Sequence, residues 1–181
     1  HKITNSQKRQ KEVRNLNNRK MAEKQLIFLN DINEFWPLSQ NIDQSKINAN
    51  VMRAQQSDLS PILGSALYHA FIEDFDGKDF ATQLYNDLFY GTDYIFKGNT
   101  FYFRCFRPLL ATFAYNRVVD TNKVNIVRNG VSVYSVEESE IATDAQKRET
   151  KRTAYSDASR LEGELIQFLN ENRATYPLWN T

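Results

Sequence analysis

The sequence predicts a mainly α domain: a helical bundle of about four to five helices with one β-hairpin, extended by a basic N-terminal arm. Three observations carry this. Long stretches place apolar residues at helical spacing, and one short run of β-branched residues brackets Asn129-Gly130. The first twenty residues hold seven lysines and arginines against a single acid, Glu12. At 181 residues the chain fits one domain. It divides into an arm over 1–20 and a helical body over 21–181, with the hairpin at 124–136 and a long last helix over about 137–172.

The arm has only Ile3, Val13 and Leu16 as sizeable apolar residues, too few to bury a helical face, so alone it is expected to be disordered or a frayed helix. Three readings fit it: contact with DNA phosphates, docking on an acidic neighbouring subunit, or a solvated tail. From Leu26 an apolar element leads to Asn30 and Asp31, either of which can cap a helical turn that ends before Trp36 and Pro37. Asp43 suits the cap of the first long helix. In INANVMRAQQSDLSPILGSALYHAF (Ile47–Phe71), Ile47, Val51 and Ala54 share a face, and Leu59, Ile62, Leu63, Leu67 and Phe71 carry the apolar stripe past Pro61. Ser60-Pro61 reads as an N-cap with proline in the first helical position, and Gly64 as a point of close backbone approach. The segment is therefore a hinged helix pair.

Phe71–Asp79, FIEDFDGKD, invites a calcium reading that fails on spacing: Gly77 follows only Asp74 and Asp76, and Gln83 stands where a calcium loop needs its last acid. A helix closed by Gly77 is expected instead. Asp79–Tyr90 reads as the next amphipathic helix, with Phe80, Leu84 and Leu88 inward, Gly91 at its end and a loop over Gly91–Asn99. In Phe101–Val119 the apolar residues are spread too widely for one stripe, which marks a central helix; Pro108 either kinks it or sets its first turn near Arg107. Val124–Val136 is a hairpin turned by Asn129-Gly130, with Ile126 opposite Val133 and Val124 opposite Ser135. Glu137, Glu138 and Glu140 then open the last helix, where Ala154, Ala158, Leu161, Leu165, Phe168 and Leu169 form a docking stripe and the first half stands free. The terminal Tyr176-Pro177-Leu178-Trp179 is either a lid on the core or a peg for a partner.

Chemistry is sparse. No P-loop, G-x-S-x-G elbow, H-E-x-x-H, C-x-x-C or dinucleotide fingerprint occurs, so no catalytic, cofactor-binding or metal-binding residue is assigned and no enzymatic activity is expected. His69 has no partner histidine or cysteine at ligand spacing. The one cysteine, Cys105, lies among Phe101, Phe103 and Phe106, as a buried small hydrophobe does, and excludes an internal disulfide. Arg104, Arg107 and Arg117 interleave with aromatics, but on a helix this apolar they do not make a base-stacking platform. No apolar run is long enough to span a bilayer, and the first residues lack the pattern of a signal peptide. The net charge of +1 hides an asymmetry: outside the arm, 16 basic residues face 21 acidic ones.

Five segments taken in order carry a resemblance: LIFLNDINEFWPLSQNID (Leu26–Asp43), AQQSDLSPILGSALY (Ala54–Tyr68), FRPLLATFAYNRVV (Phe106–Val119), VRNGVSVYS (Val127–Ser135) and FLNENRATYPLW (Phe168–Trp179). Together they resemble the helical head-to-tail connector family of tailed phages, including the crAss-like group. The resemblance covers residues 26–179 and implies a structural virion protein. It would be a homo-oligomeric ring, a dodecamer, beneath the portal protein, docked to a neighbouring ring or tail protein, crossed by genomic DNA and assembled in the host cytoplasm without a membrane. The candidate contacts are Lys8, Arg9, Lys11 and Arg14 of the arm, Arg128, Asn129 and Gly130 of the hairpin, and Tyr176 and Trp179 of the tail. The arm lies outside the matching segments. A reading from another class is a helical DNA-binding or packaging accessory protein whose arm grips phosphate.

Overall fold

A computed structural model describes residues 24–38, 43–121, 125–127, 130–132 and 144–179. Its helices are α1 (Leu29–Phe35), α2 (Gln44–Ala54), α3 (Ser60–Leu63), α4 (Ser65–Asp74), α5 (Gln83–Tyr90), α6 (Arg107–Thr121) and α7 (Asp144–Glu171). Two antiparallel hairpins join them: β1 (Thr92–Phe96) with β2 (Asn99–Phe103), and β3 (Asn125–Val127) with β4 (Gly130–Ser132). The mainly α bundle with a β-hairpin stands. At its centre is α6, whose Leu109, Leu110, Ala111, Ala114 and Val118 are buried on more than one side. That spread lets α1, α2 and α7 all pack against it. Pro108 sits in its first turn, where the missing N–H costs no helical bond, so the helix begins at Arg107.

The start of the body is tied down by a side-chain amide. Gln55, fully buried, accepts the Leu26 N–H on Oε1 at 2.7 Å and donates from Nε2 to Lys24 O at 3.0 Å, which satisfies an extended backbone segment whose Leu26 and Ile27 enter the core. In α1, Asp31 accepts the Phe28 N–H at 2.7 Å, and in α2 Asp43 accepts from Ser45 N at 2.9 Å, both as charge near a helix N-terminus should.

The expected break at Pro61 is displaced. Gln55–Leu59 is a π-helical turn, in which Ser60 donates its N–H to Gln55 O five residues back, and the helix runs on through Pro61 into α3. Widening the turn just before proline accommodates the missing N–H without a kink. The chain breaks instead at Gly64, with φ 74° and ψ 153°, a conformation open essentially to glycine alone. Backbone freedom is therefore the observed role of Gly64.

Between α4 and α5 the expected helix ends move. α4 stops at Asp74 rather than running to Gly77, because Asp76 turns the chain by accepting from Lys78 N at 2.8 Å and Asp79 N at 2.9 Å. Phe75 and Phe80 face each other across this turn with ring centroids 4.9 Å apart. α5 then starts at Gln83 rather than Asp79, since the Asp74 carboxylate holds Thr82 by its N–H and its hydroxyl.

The largest correction concerns residues 91–103, expected as a loop followed by helix and found as the β1–β2 hairpin. Lys97 and Gly98 both take positive φ, 50° and 80°, the requirement of a tight primed turn. The hairpin pairs Thr92 with Phe103 through Phe96 with Asn99. One face leans on α7: the Phe103 ring stacks on Phe168 with centroids 4.0 Å apart, and Tyr94 donates to Glu171 at 2.6 Å.

The second hairpin lies within the predicted span but in another register. Asn125 pairs with Ser132, Ile126 with Val131 and Val127 with Gly130, so Gly130 opens β4 rather than sitting in the turn. Register is weakly specified in so short a ladder. In α7 the predicted stripe is buried from Ala154 to Leu169, while residues 148–150 near its start are exposed. Residues 137–143 lie outside the described residues.

Candidate functional site

Five elements converge on a cleft of about 660 Å³. α1 ends there because Trp36 is captured twice: its ring stacks on Tyr115 at 4.9 Å, and its Nε1 donates to Thr112 Oγ1 at 2.9 Å. The Thr112 hydroxyl in turn donates to Pro108 O, so this buried polar group is satisfied on both sides. The other walls come from Tyr90 at the end of α5, Tyr102 and Arg104 at the exit of β2, and Arg160 and Leu161 of α7.

The guanidinium groups of the cleft are already paired. Arg107 bonds Glu34, lies 3.9 Å from Asp31 and sits over the Phe35 ring at 5.7 Å. Arg104 and Arg160 meet on one oxygen of Glu164, at 2.6 and 2.7 Å. Cys105 lies in the wall with φ 86°, and burial pushes its thiol up to about 11, only partly opposed by the Arg107 backbone hydrogen bond and the charge of Arg104. A thiol held neutral this way is a poor nucleophile. His69 is exposed on α4 with its ring edge-on to Tyr68. Among the described residues, no three His, Cys, Asp or Glu side chains are grouped to hold a metal ion. Nor is any helix among them long and apolar enough to cross a membrane. The arrangement suits recognition of a surface: aromatic rings flanked by paired guanidiniums, the composition of protein interfaces.

Beside the cleft the outer face of the β1–β2 hairpin is bare. Ile95 is 74% exposed and Tyr102 64%, and Tyr90, which shares the cleft wall with Tyr102, is also exposed. Large apolar side chains on a two-stranded sheet with open edges form an unpaired surface.

The residues singled out from sequence are not gathered here. Lys8, Arg9, Lys11, Arg14, Arg128 and Asn129 lie outside the described residues. Gly130 opens β4, away from the cleft lining. Tyr176 and Trp179, offered as partner contacts, are each 2% exposed and close the core as its lid. Tyr176 donates to Leu84 O at 3.1 Å, and burial raises the pKa of its phenol. Trp179 donates to Ile62 O at 3.0 Å beneath the Arg173 guanidinium. The cleft and the bare hairpin face were missed, although the alternation of TDYIF and NTFYF around Lys97-Gly98 was a usable signal.

Residues 59–181 match a family of unknown function, DUF6712. No curated protein and no solved structure matches the chain.

Proposed function

Since the chain belongs to the DUF6712 family, whose function is unknown, we propose that it is a structural subunit of a phage head-to-tail connector, a ring between portal and tail through which the genome passes. One observation carries the reading: the segments that resemble the connector family hold one another together. Leu26 donates to Gln55, Trp36 to Thr112 and Trp179 to Ile62, and each bond joins two different segments of that resemblance. The likeness therefore follows an interlocked core rather than scattered surface motifs.

In this role the chemistry is geometric. Heterologous contacts that close by rotation make a ring, and modest contacts per subunit add up around the circle. The bare hairpin face with Ile95 and Tyr102 is the kind of apolar surface such contacts bury. A body with 16 basic and 21 acidic residues outside the arm suits a channel in which DNA slides without sticking. The test is co-expression with the portal protein of the same virus and electron microscopy of the product. Rings stacked on the portal are expected, and a monomer that never associates with the portal would sink the proposal.

A second reading draws on the seven basic residues of the arm: a DNA-binding or packaging accessory protein. Affinity for duplex DNA that falls steeply with salt would favour it. A connector subunit binds free DNA weakly at any salt.

A further inference from the structure

The first described residue, Lys24, is already seated on one end of the body: its Nζ donates to Phe75 O and, at 3.2 Å, to Glu73 O. Carboxylates gather at this point. Glu73 and Asp74 close α4, Asp76 and Asp79 occupy the turn that follows, and Tyr90 donates to Asp79 at 3.3 Å. Tyr90 is also a wall of the cleft, beside Glu34 and Phe35 of α1, and it feels the charge of Asp31 on the same helix. From the place where the arm joins, a surface thus runs to the cleft with two exposed rings, Phe35 and Tyr90, set among Asp31, Glu34, Glu73, Asp74, Asp76 and Asp79. Lys24 and Lys78 act on Asp76, and Arg107 bonds Glu34.

We propose that residues 1–20 of the same chain dock on this surface, with their lysines and arginines among the carboxylates and Val13 and Leu16 against Phe35 and Tyr90. Charge and reach both select this occupant. The arm carries seven cations and one acid, the complement of an acid-rich face. Leu16 lies eight residues from Lys24, a reach of at most about 28 Å when extended. Tethering beside the surface gives the arm an effective concentration on the order of millimolar, which a free basic peptide would not match. The contact does not depend on ring formation. It would cover rings otherwise left bare, and salt would loosen it.

The test is zero-length carbodiimide coupling of the full-length chain, using an equal mixture of copies with natural nitrogen and copies labelled with nitrogen-15, followed by mass spectrometry. Docking within one chain predicts links from Lys8, Lys11 or Lys20 to Glu34, Asp76 or Asp79 in isotopically pure pairs. All of these links should fall several-fold at high salt, and those from Lys20, which the full-length variant K8E/R9E/K11E/R14E keeps, should fall in that variant too, with the circular dichroism of the body unchanged. Mixed-isotope links in about half of the pairs, as random pairing of two equal pools gives, would assign the surface to the arm of a second copy and overturn the proposal. So would links confined to the body, with none reaching the arm. Portal association measured on the same preparation reports on the connector reading independently.

Discussion

Replacing Gly91 by alanine should be among the most damaging single-methyl changes in the molecule, and Gly77→Ala is its internal control. Both glycines take a positive φ, 98° at Gly91 and 108° at Gly77, where an L side chain is strained by about 1–3 kcal/mol. Their surroundings differ. A Cβ at Gly77 meets nothing within 4 Å, whereas one at Gly91 would lie 2.7 Å from Phe103 O and 3.2 Å from the Arg104 carbonyl carbon. Neither atom is the free end of a flexible side chain, and Phe103 is held in place by pairing with Thr92 and by stacking on Phe168. Forcing a methyl group into packed backbone adds about 1–3 kcal/mol to the strain. The expected losses are about 4 kcal/mol for Gly91→Ala and about 2 kcal/mol for Gly77→Ala. At roughly 2–4 °C per kcal/mol for a chain of this size, Tm should fall by roughly 8–16 °C and 4–8 °C. Urea titrations of the two variants and the wild type measure both losses. A Gly91→Ala midpoint no lower than that of Gly77→Ala would refute the argument from close approach.

Alkylation of Cys105 should have its midpoint near pH 11, because burial keeps the thiol neutral, and at pH 8 it should run about 100-fold slower than in the urea-unfolded chain. This is an acid whose folded pKa is raised from 9.0, so the stability it contributes is intact below pH 9 and lost as pH rises towards 11; a midpoint below 9 would contradict the burial. Trp179→Ala removes a buried ring and its bond to Ile62 O and should cost about 3–5 kcal/mol by thermal unfolding, where a free peg would cost almost nothing. Gln55→Met keeps the volume but leaves the Leu26 N–H without an acceptor, which costs about 1–3 kcal/mol. Hydrogen exchange should then accelerate at Leu26 and Ile27 first, and uniform acceleration across α6 would argue against a local clamp.

Legibility from sequence followed the source of each signal. The central helix, the docked half of α7 and the Asp43 cap came through because they rest on apolar periodicity and local capping, which act within a few residues. The ends of α4 and α5 did not, because Asp74 and Asp76 spend their oxygens on backbone N–H groups across a turn, a competition that acid-rich composition does not reveal. Residues 101–103 misled through their aromatics, which fit a buried helix as readily as a strand; Phe103 settles in a strand by stacking on Phe168, 65 residues later in the chain. The cleft draws on α1, α5, β2, α6 and α7 at once, so no window of sequence contains it. Tyr176 and Trp179 were visible as anchors, but whether they face inward depended on Leu84 and Ile62.

The π-helical turn Gln55–Leu59 bears on how relatives of this chain can be aligned. On a regular α-helix a residue advances by about 100°, so Leu63 would stand about 160° around from Ile47, on the opposite side. Both are fully buried in the same core. Taking one extra residue into a single turn winds the helix back by about 100° and restores the phase across Pro61. A relative with one residue fewer between Ala54 and Pro61 and a plain α-helix there would therefore present the same core face, and its correct alignment carries a one-residue gap inside an unbroken helix. In this chain, regularising the π turn to α-helix without losing a residue would instead swing Leu63 away from the core and bring its neighbours in.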